Sequence, residues 1–324
     1  MKILVTGASG FIGSRTARRL ADAGHDLRLL LRSTSKTHRL DGLKYERATG
    51  DITDKASLQA AAGGVDAVVH LACISAWSEI RGAGTAKLNE ISVGGTRNVL
   101  EAAQGAGVKR VVYCSSVAAV NASERPEVFD EKSKFYPERP HLTYSVAKRE
   151  AERVVASFAG KLDVVTVLPA EVYGPGDDAF VTAGNVRDVL TSWPTLACRG
   201  GTSVVHVDDV ADGIVRALER GRAGERYILG GDNLSVVDLC RRVTKLAGMN
   251  RRVIELPNAL ARAACVAAVK VRLPPPLPLD VLEYATLFWF VDSSKARREL
   301  GFAPRDADAT LGPVVAWLKE AGHV

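Results

Sequence analysis

The sequence has few of the features that mark disulfide, metal or membrane proteins. Its five cysteines form no C-x-x-C pair and its six histidines are scattered, so neither a disulfide framework nor a metal site is expected. Small buried thiols in a reducing, cytoplasmic compartment explain the cysteines best. Met1–Val5 starts a strand with no small-residue cleavage site after it, which argues against a signal peptide. Ala259–Leu273 contains charged residues and ends at three prolines, so we expect a lid or interface helix and no membrane partner.

Charge of one sign is in mild excess only. Of 324 residues, 47% are apolar and 25% are charged, with a net charge of +6, which is a globular profile. Basic clusters such as Arg15, Arg18 and Arg19 are short and lack interleaved aromatic residues. They are typical of solvated helix faces, and we expect no nucleic-acid partner. The positive balance also suits an anionic, phosphate-bearing ligand.

The first half of the chain alternates strand and helix periods. Lys2–Thr6 is a short apolar run, and Phe11–Ala23 has apolar residues at helical spacing and closes on Gly24 as a C-terminal cap. Further strands are predicted at Leu27–Leu31, Ala67–His70, Arg110–Cys114 and Val164–Leu168, and further helices at Leu88–Ala106 and Thr143–Phe158. Such alternation implies right-handed crossovers, so we predict an α/β fold with a doubly wound parallel sheet, the Rossmann arrangement.

The second half of the chain has a different composition and fewer strand patterns. Prolines and glycines become common, strand signals thin to Val204–Val207 and Tyr227–Leu229, and Pro274–Pro276 predicts a stiff hinge. The length suits two parts that share a cleft. We predict a dinucleotide-binding Rossmann domain over 1–168 and a smaller, loop-rich, mainly substrate-binding part over 169–324, with 202–230 returning to the first domain.

A glycine-rich turn lies between the first strand and the first helix. In Thr6–Gly13, Gly7 would make the tight turn, Gly10 would let the backbone approach a pyrophosphate, and Gly13 would let the helix pack closely. The helix N-terminus offers unpaired N–H groups to phosphates. A glycine triplet alone could be a flexible turn, but its position here favours a dinucleotide cradle.

The end of the second strand predicts which dinucleotide binds. An acid there would bond the ribose 2′-hydroxyl, but this chain has Arg32, followed by Ser33 and Lys36. A guanidinium grips phosphate bidentately, so we expect NADP(H) to be preferred, with NAD as the alternative. Asp51 and Ile52 follow the third strand, where they could hold an adenine ring, although Asp51 could equally be a helix N-cap.

A tyrosine and a lysine one helical turn apart suggest proton transfer. Tyr144 and Lys148 share one helix face, and the cation is expected to lower the pKa of the phenol from about 10 toward working pH. Spacing alone is weak evidence. Ser116 follows the Arg110–Cys114 strand, which ends at the same crevice, and could orient a substrate oxygen.

Taken together, these motifs resemble the extended short-chain dehydrogenase/reductases over nearly the whole chain. The motifs are Thr6–Gly13 as T-G-A-S-G-F-I-G, His70-Leu71-Ala72, Gly95-Thr96-Arg97-Asn98, Ser115-Ser116, Tyr144-x-x-x-Lys148, Val172-Tyr173-Gly174-Pro175-Gly176 and His206-Val207-Asp208-Asp209-Val210. Leu31-Arg32, Ser115–Asn121 and Phe290–Ala296 are most similar to the dihydroflavonol-reductase-like and 3β-hydroxysteroid-dehydrogenase-like branch.

The resemblance implies a role for each matching residue. Ser116, Tyr144 and Lys148 would be the catalytic serine, the acid/base tyrosine and its supporting lysine, which would also bond the nicotinamide ribose. Pro169–Val172 would lie against the nicotinamide, and the two long helices would pair in a homodimer. The expected cofactor contacts are Gly7, Ser9, Gly10, Phe11, Ile12, Gly13, Arg32, Ser33, Lys36, Asp51, Ile52, Leu71, Ala72, Cys73, Ser115, Tyr144, Lys148, Pro169, Ala170 and Val172.

The small-molecule substrate is expected to be fairly apolar. Candidate contacts are Ser75, Trp77, Val117 and Phe180, with Leu287–Phe290 as further apolar surface or simply core. Relatives that act on nucleotide sugars often have arginine where this chain has Thr202, and Arg-Pro where it has Leu168-Pro169. Arg187 and Arg199 are the remaining candidates to neutralise a diphosphate.

The leading interpretation is an NADP(H)-dependent ketone/alcohol oxidoreductase, and the alternatives are a nucleotide-sugar epimerase or dehydratase and a non-catalytic dinucleotide sensor. His70 and His206 are expected to be structural.

Overall fold

The computed structural model describes residues 1–74, 84–135, 138–270, 277 and 279–324. In chain order, the strands are β1 (Lys2–Thr6), β2 (Asp26–Leu31), β3 (Glu46–Thr49), β4 (Ala67–His70), β5 (Arg110–Cys114), β6 (Val128–Phe129), β7 (Asp163–Pro169), β8 (Glu171–Tyr173), β9 (Thr195–Cys198), β10 (Gly201–His206), β11 (Arg226–Leu229), β12 (Asp232–Ser235), β13 (Val253–Leu256) and β14 (Phe288–Val291). The α-helices are α1 (Phe11–Asp22), α2 (Lys55–Ala62), α3 (Gly84–Asn89), α4 (Thr96–Gly105), α5 (Thr143–Ala156), α6 (Ala183–Thr191), α7 (Val207–Arg220), α8 (Val236–Leu246), α9 (Asn258–Lys270), α10 (Leu279–Ala285), α11 (Ser294–Leu300) and α12 (Ala307–Glu320).

Seven parallel strands form the main sheet, in the order β11-β7-β5-β4-β1-β2-β3. Side chains alternate along β1, so Ile3 and Val5 enter one hydrophobic core and Leu4 enters another on the opposite face. Helices cover both faces, as an all-parallel sheet requires. The predicted doubly wound α/β fold is confirmed. The strand order reverses between β1 and β4, where the carboxyl ends of the strands leave a crevice for a ligand.

The second part is built from two small sheets. One has the order β12-β10-β14-β6 with β8 added to β10, and the other pairs β13 with β9. α6, α8 and α12 supply the helical side of its core, which includes Val186, Val243 and Leu311. The predicted return segment 202–230 is divided: β10 lies in the second part, whereas β11 lies at the edge of the main sheet.

One predicted detail is confirmed by the structure, and two differ. Gly24 has a φ of +80° directly after α1, and its N–H bonds the Ala21 carbonyl oxygen, as a C-terminal cap does. The long helix predicted before β5 is interrupted, because Glu90–Gly95 is wound as a π-helix between α3 and α4. Cys73 is exposed, so the expectation that all the cysteines are buried is wrong for this residue, which follows β4 at the open crevice. Prolines 274–276 lie outside the described residues.

Within the described ranges, no helix has both the length and the apolar character that a bilayer-spanning segment needs.

Candidate active site

A large cleft of about 1360 Å³ opens at the carboxyl ends of the main-sheet strands. Its lining begins at the loop after β1, passes the ends of β2, β4, β5 and β7, and continues along β8, α6 and α8 into the second part. A cleft of this size can hold a dinucleotide and a substrate end to end, since a pocket for one drug-sized ligand measures about 300–1,000 Å³.

The glycine-rich loop forms one end of the cleft. Gly7 has a φ of +76°, and a Cβ there would lie 2.6 Å from the Ala72 backbone nitrogen. A Cβ on Gly13 would collide with the Gly7 carbonyl oxygen, so this glycine lets α1 start directly on the loop. Gly10 is the N-cap of α1, its N–H bonds the Gly7 carbonyl oxygen at 3.0 Å, and no side chain caps this helix. The first N–H groups of α1 are therefore open to an anion.

The loop after β2 borders the same end of the cleft. Arg32 lines the cleft and is exposed, and no ion pair or hydrogen bond of its guanidinium is present among the described residues. Its backbone N–H donates to Ser35 Oγ at 3.0 Å, and Ser35 also lines the cleft. The predicted residues Ser33 and Lys36 do not line it. Arg39, which the sequence reasoning missed, does, and it bonds the Gly176 carbonyl oxygen and Asp178.

Asp51 and Ile52 lie on the cleft wall next to this loop. The Asp51 carboxylate accepts hydrogen bonds of 2.9 Å from the N–H and the hydroxyl of Thr53. Burial acts to raise the pKa of Asp51, but the Thr53 bonds and the Arg32 charge outweigh it and lower the pKa. The N-cap of α2 is Asp54, whose side chain bonds the N–H groups of Ala56 and Ser57. The alternative that Asp51 caps a helix is therefore wrong.

The cleft brings Ser116 and Tyr144 together and sets Lys148 beside them. Lys148 is 2% exposed, its Nζ lies 5.8 Å from the Tyr144 ring centroid, and it donates to the Cys114 carbonyl oxygen at 3.2 Å. Ser116 follows β5 and lines the cleft with Tyr144, and its side chain acts to lower the pKa of the Tyr144 phenol. The spacing on α5 and the end of β5 thus place all three side chains at one point, as the sequence reasoning expected.

The pKa of Tyr144 differs from the expectation. Burial raises the pKa of Tyr144 by more than the Lys148 charge and the Ser116 side chain lower it, so the net pKa is about 12. The expected net lowering is therefore wrong for this cleft, because a half-enclosed phenol loses solvation that one cation does not replace. Burial lowers the pKa of Lys148, but Cys73 and the two nearby tyrosines raise it by more, so the net shift is upward. The pair holds a neutral phenol beside a charged ammonium.

Ser115 faces away from the reacting point. Its hydroxyl donates to Glu152 on α5, and Glu152 pairs with Arg226 of β11 at 3.0 Å. Burial raises the pKa of Glu152, and the Arg226 charge and the Ser115 bond lower it by less. This arrangement ties the end of β5 to α5 and to the sheet edge, although Ser115 also lines the cleft.

The two histidines that end strands are held by hydrogen bonds. His70 Nδ1 lies 2.7 Å from Thr6 Oγ1, and its Nε2 lies 3.2 Å from Thr96 Oγ1. His206 Nδ1 accepts the Asp208 N–H at 3.1 Å and so caps α7. His70 thus bonds side-chain hydroxyl groups, and neither histidine lines the cleft.

The predicted substrate contacts lie in different places. Val117 lines the cleft, whereas Phe180 does not. Phe180 has a φ of +51°, and its ring packs on Trp317 and His323, with the Arg187 guanidinium 4.8 Å away. Phe180 therefore packs against α12 and the residues that follow it, and it is not one of the residues that line the cleft. Ser75 and Trp77 lie outside the described residues.

The far end of the cleft is an apolar pocket that the sequence reasoning mostly missed. Its lining residues are Cys198, Leu256, Ala261, Ala264, Cys265, Leu277, Val281, Leu282 and Ala285. Trp289 and Tyr284 stack at 5.7 Å beside it and also line the cleft, whereas Leu287 and Phe288 are core. The pocket draws on four separate helices and strands and on Leu277 between them, so no local motif predicts it.

Neither candidate for a diphosphate contact reaches the cleft. Arg187 pairs with Asp188 at 3.1 Å and Arg199 pairs with Glu255 at 3.1 Å, and neither is a lining residue. From Pro169 onward, the described lining contains no arginine or lysine. The described residues of this wall are therefore apolar, uncharged polar or acidic.

The chain is similar to known proteins over its full length. The NAD dependent epimerase/dehydratase family matches residues 3–230. A Synechocystis sp. protein named as a dihydroflavonol 4-reductase is 31% identical over 99% of this chain and 95% of its own. A 3-beta-hydroxysteroid dehydrogenase from Mycolicibacterium neoaurum is 27% identical over 94% of this chain and 87% of its own.

A solved structure extends the likeness to three dimensions. The dTDP-glucose 4,6-dehydratase from Streptomyces venezuelae, solved with NAD bound, is 26% identical with a TM-score of 0.78, and the match covers 99% of this chain and 97% of that one. The family match, the reductase and dehydrogenase relatives and the shared Rossmann fold agree with one another. The chain belongs to the NAD dependent epimerase/dehydratase family and is an NAD(P)-dependent dehydrogenase/reductase of the extended short-chain type.

Proposed function

We propose that this enzyme uses NADPH to interconvert a ketone and a secondary alcohol on a fairly apolar small molecule. The observation that carries the proposal is the meeting of Ser116, Tyr144 and Lys148 at the point where β5 and α5 border the cleft. Bound NADPH supplies the hydride. The protein's own residues orient the carbonyl and move the proton.

Tyr144 acts as the proton donor in this proposal. A phenol with a pKa of about 12 is fully protonated at neutral pH, so it is ready to donate to the oxygen that gains negative charge. The buried ammonium of Lys148 stabilises the tyrosinate that remains. Ser116 donates a hydrogen bond that holds the carbonyl oxygen within reach.

The proposed cofactor contacts follow the lining of the cleft. The glycine-rich loop and the start of α1 hold the pyrophosphate, and Arg32, with Ser35 and Arg39 nearby, binds the ribose 2′-phosphate. The proposed preference for NADPH rests on the Arg32 guanidinium. It stands at the position where an acidic residue would repel the 2′-phosphate. Pro169, Ala170 and Val172 line the region next to Tyr144, where the nicotinamide would lie.

The apolar pocket supports an apolar substrate body. Aliphatic and aromatic side chains make up most of the far wall, and no arginine or lysine in the described lining there could neutralise a diphosphate. The likeness to a dTDP-glucose 4,6-dehydratase keeps a nucleotide-sugar reaction as the second candidate. The lining favours the reductase.

An enzyme assay separates the two candidates. We expect purified protein to oxidise NADPH in the presence of at least one aryl or alicyclic ketone and to show no binding of UDP- or GDP-sugars at millimolar concentration. Tight binding of a UDP-sugar, competed by UDP alone, would instead support the epimerase or dehydratase.

Two further proposals concern assembly and organisation: a cytoplasmic homodimer formed by α4 and α5, and a substrate-binding role for most of the chain after residue 168.

A further inference from the structure

Three polar side chains interrupt the apolar wall beyond the proposed nicotinamide position. Glu171, Asn185 and Thr202 all line the cleft, and we call them the Glu171 cluster. Asn185 Nδ2 donates to Glu171 Oε1 at 2.8 Å. Thr202 lies near the carboxyl group and acts to lower its pKa. The cluster therefore holds one carboxyl group in a fixed orientation at the cleft.

The fold explains why Glu171 faces this way. It is the first residue of β8, two residues after Pro169, and β8 pairs in parallel with β10 so that Glu171 is opposite Val204. Val172 packs into the core of the main sheet, whereas Tyr173 packs into the core of the second part. Because side chains alternate along a strand, Glu171 shares the side of Tyr173 and faces the second part.

The surroundings of Glu171 disfavour the ionised form of its carboxyl group. The Tyr173 hydroxyl is buried without a hydrogen-bond partner of normal geometry. Burial raises the pKa of Glu171, and its polar neighbours Thr202, Tyr173 and Asn185 lower it by less. No arginine or lysine of the described lining beyond Pro169 offsets its charge. A half-buried acid without a cationic partner in the described lining points to a functional group more than to a stabilising one.

The other acidic residues of this wall already have partners. Asp177 accepts hydrogen bonds from the backbone N–H groups of Thr182 and Ala183 and so fixes the turn before α6. Asp188 is exposed and pairs with Arg187. A carboxylate can accept about four hydrogen bonds, so the Glu171 cluster has acceptor capacity left for a ligand.

We propose that Glu171 determines substrate specificity by accepting a hydrogen bond from a hydroxyl group of the substrate. This inference rests on the proposed ketone reduction and names its substrate class: an uncharged ring or chain that carries a hydroxyl group in addition to the reacting carbonyl. The apolar pocket takes the body of the molecule, and Glu171 takes the hydroxyl. The same carboxyl group disfavours phosphate and carboxylate substituents at this position.

Matched ketones test the inference. The probes are 1-tetralone and its hydroxy- and methoxy-substituted isomers, compared position by position. A methoxy group cannot donate a hydrogen bond, so the wild-type enzyme should favour the hydroxy member of at least one pair by about 10- to 100-fold in kcat/KM, the usual worth of a hydrogen bond to a charged acceptor. Dissociation constants measured with saturating NADP⁺ should show the same preference.

Glu171→Gln is the decisive variant because it conserves shape. The new amide can still accept from Asn185, but it offers an N–H to the cleft where the carboxylate offered an acceptor. The hydroxy/methoxy ratio should therefore fall toward one. Glu255→Gln removes a charge outside the cleft lining and is the matched control, for which the wild-type ratio is expected.

The two measurements separate this inference from the proposed function. If no tetralone is reduced with NADPH or NADH, the ketone reductase proposal fails, while the binding ratios still report on Glu171. If ketones are reduced but the ratio is the same in wild type and Glu171→Gln, the inference is wrong. Absence of binding by every hydroxylated probe would also overturn it, because that is the ligand class it names.

Discussion

Lys148 Nζ donates a hydrogen bond of 3.2 Å to the carbonyl oxygen of Cys114. The bond joins the middle of α5 to the last residue of β5, and Ser116 follows two residues later. It therefore fixes the helix that holds Tyr144 against the strand end that holds Ser116. Together with the Ser115–Glu152 hydrogen bond, which also joins α5 to the end of β5, this contact sets the relative position of Tyr144 and Ser116, the proposed proton donor and the proposed carbonyl-orienting hydroxyl.

Arg32→Ala should change the cofactor preference. A hydrogen bond to a charged group is worth about 1.5–3 kcal/mol, so the dissociation constant for NADPH should rise roughly 10- to 150-fold while that for NADH changes little. Fluorescence titration of both reduced cofactors measures this. Lys36→Ala, which removes a charge near the loop but outside the cleft lining, is the control. Equal losses for both cofactors would mean that Arg32 supports the loop without contacting the phosphate.

Gly13→Ala should impair dinucleotide binding and lower the melting temperature. The new Cβ would collide with the Gly7 carbonyl oxygen, which is backbone and cannot move without distorting the phosphate-binding turn. Gly105→Ala in α4 is the matched control, because a Cβ there would meet no atom of another element within 4 Å and alanine is favoured over glycine in a helix by about 0.5–1 kcal/mol. The control should melt slightly higher than wild type. Unchanged cofactor affinity in Gly13→Ala would contradict the structure of the loop.

His70 should make the protein sensitive to mild acid. Burial lowers the pKa of His70 from 6.5 to about 3, so the unfolded chain binds a proton that the folded protein does not. The stability is fully present above pH 6.5 and is lost as the pH falls toward 3, by about 1.4 kcal/mol per pH unit.

Urea unfolding between these pH values measures the slope. His70→Gln keeps an amide within reach of Thr6 and Thr96 but does not titrate, so its unfolding free energy should depend less on pH than that of the wild type. Identical pH slopes for the two proteins would show that other groups cause the acid sensitivity.

The sequence predicts best what depends on neighbours in the chain. The turn at Gly7, the cap at Gly24 and the pairing of Tyr144 with Lys148 are set within a few residues by backbone conformation and helical periodicity. The parallel sheet follows from the alternation of periods, since crossover geometry allows few other arrangements.

What the sequence does not predict depends on distant contacts. Phe180 packs on Trp317, a residue near the other end of the chain, and a φ of +51° is not visible in its sequence neighbours. Arg39 enters the cleft through a short loop helix, and the Glu171 cluster requires β8 to pair with β10. The pKa of Tyr144 likewise reflects the enclosure of the whole cleft and not the lysine one turn away.

The central claim is that Tyr144 donates the proton during ketone reduction, and Tyr144→Phe tests it most directly. The ring and its packing remain, so NADPH affinity should stay at the wild-type value while kcat falls about 10²- to 10⁴-fold, the usual contribution of a positioned proton donor. Ser116→Ala, which removes one orienting hydrogen bond, should lose less. The measurement is steady-state turnover with a ketone that the wild-type enzyme reduces, beside a cofactor titration. Wild-type turnover in Tyr144→Phe would contradict the account.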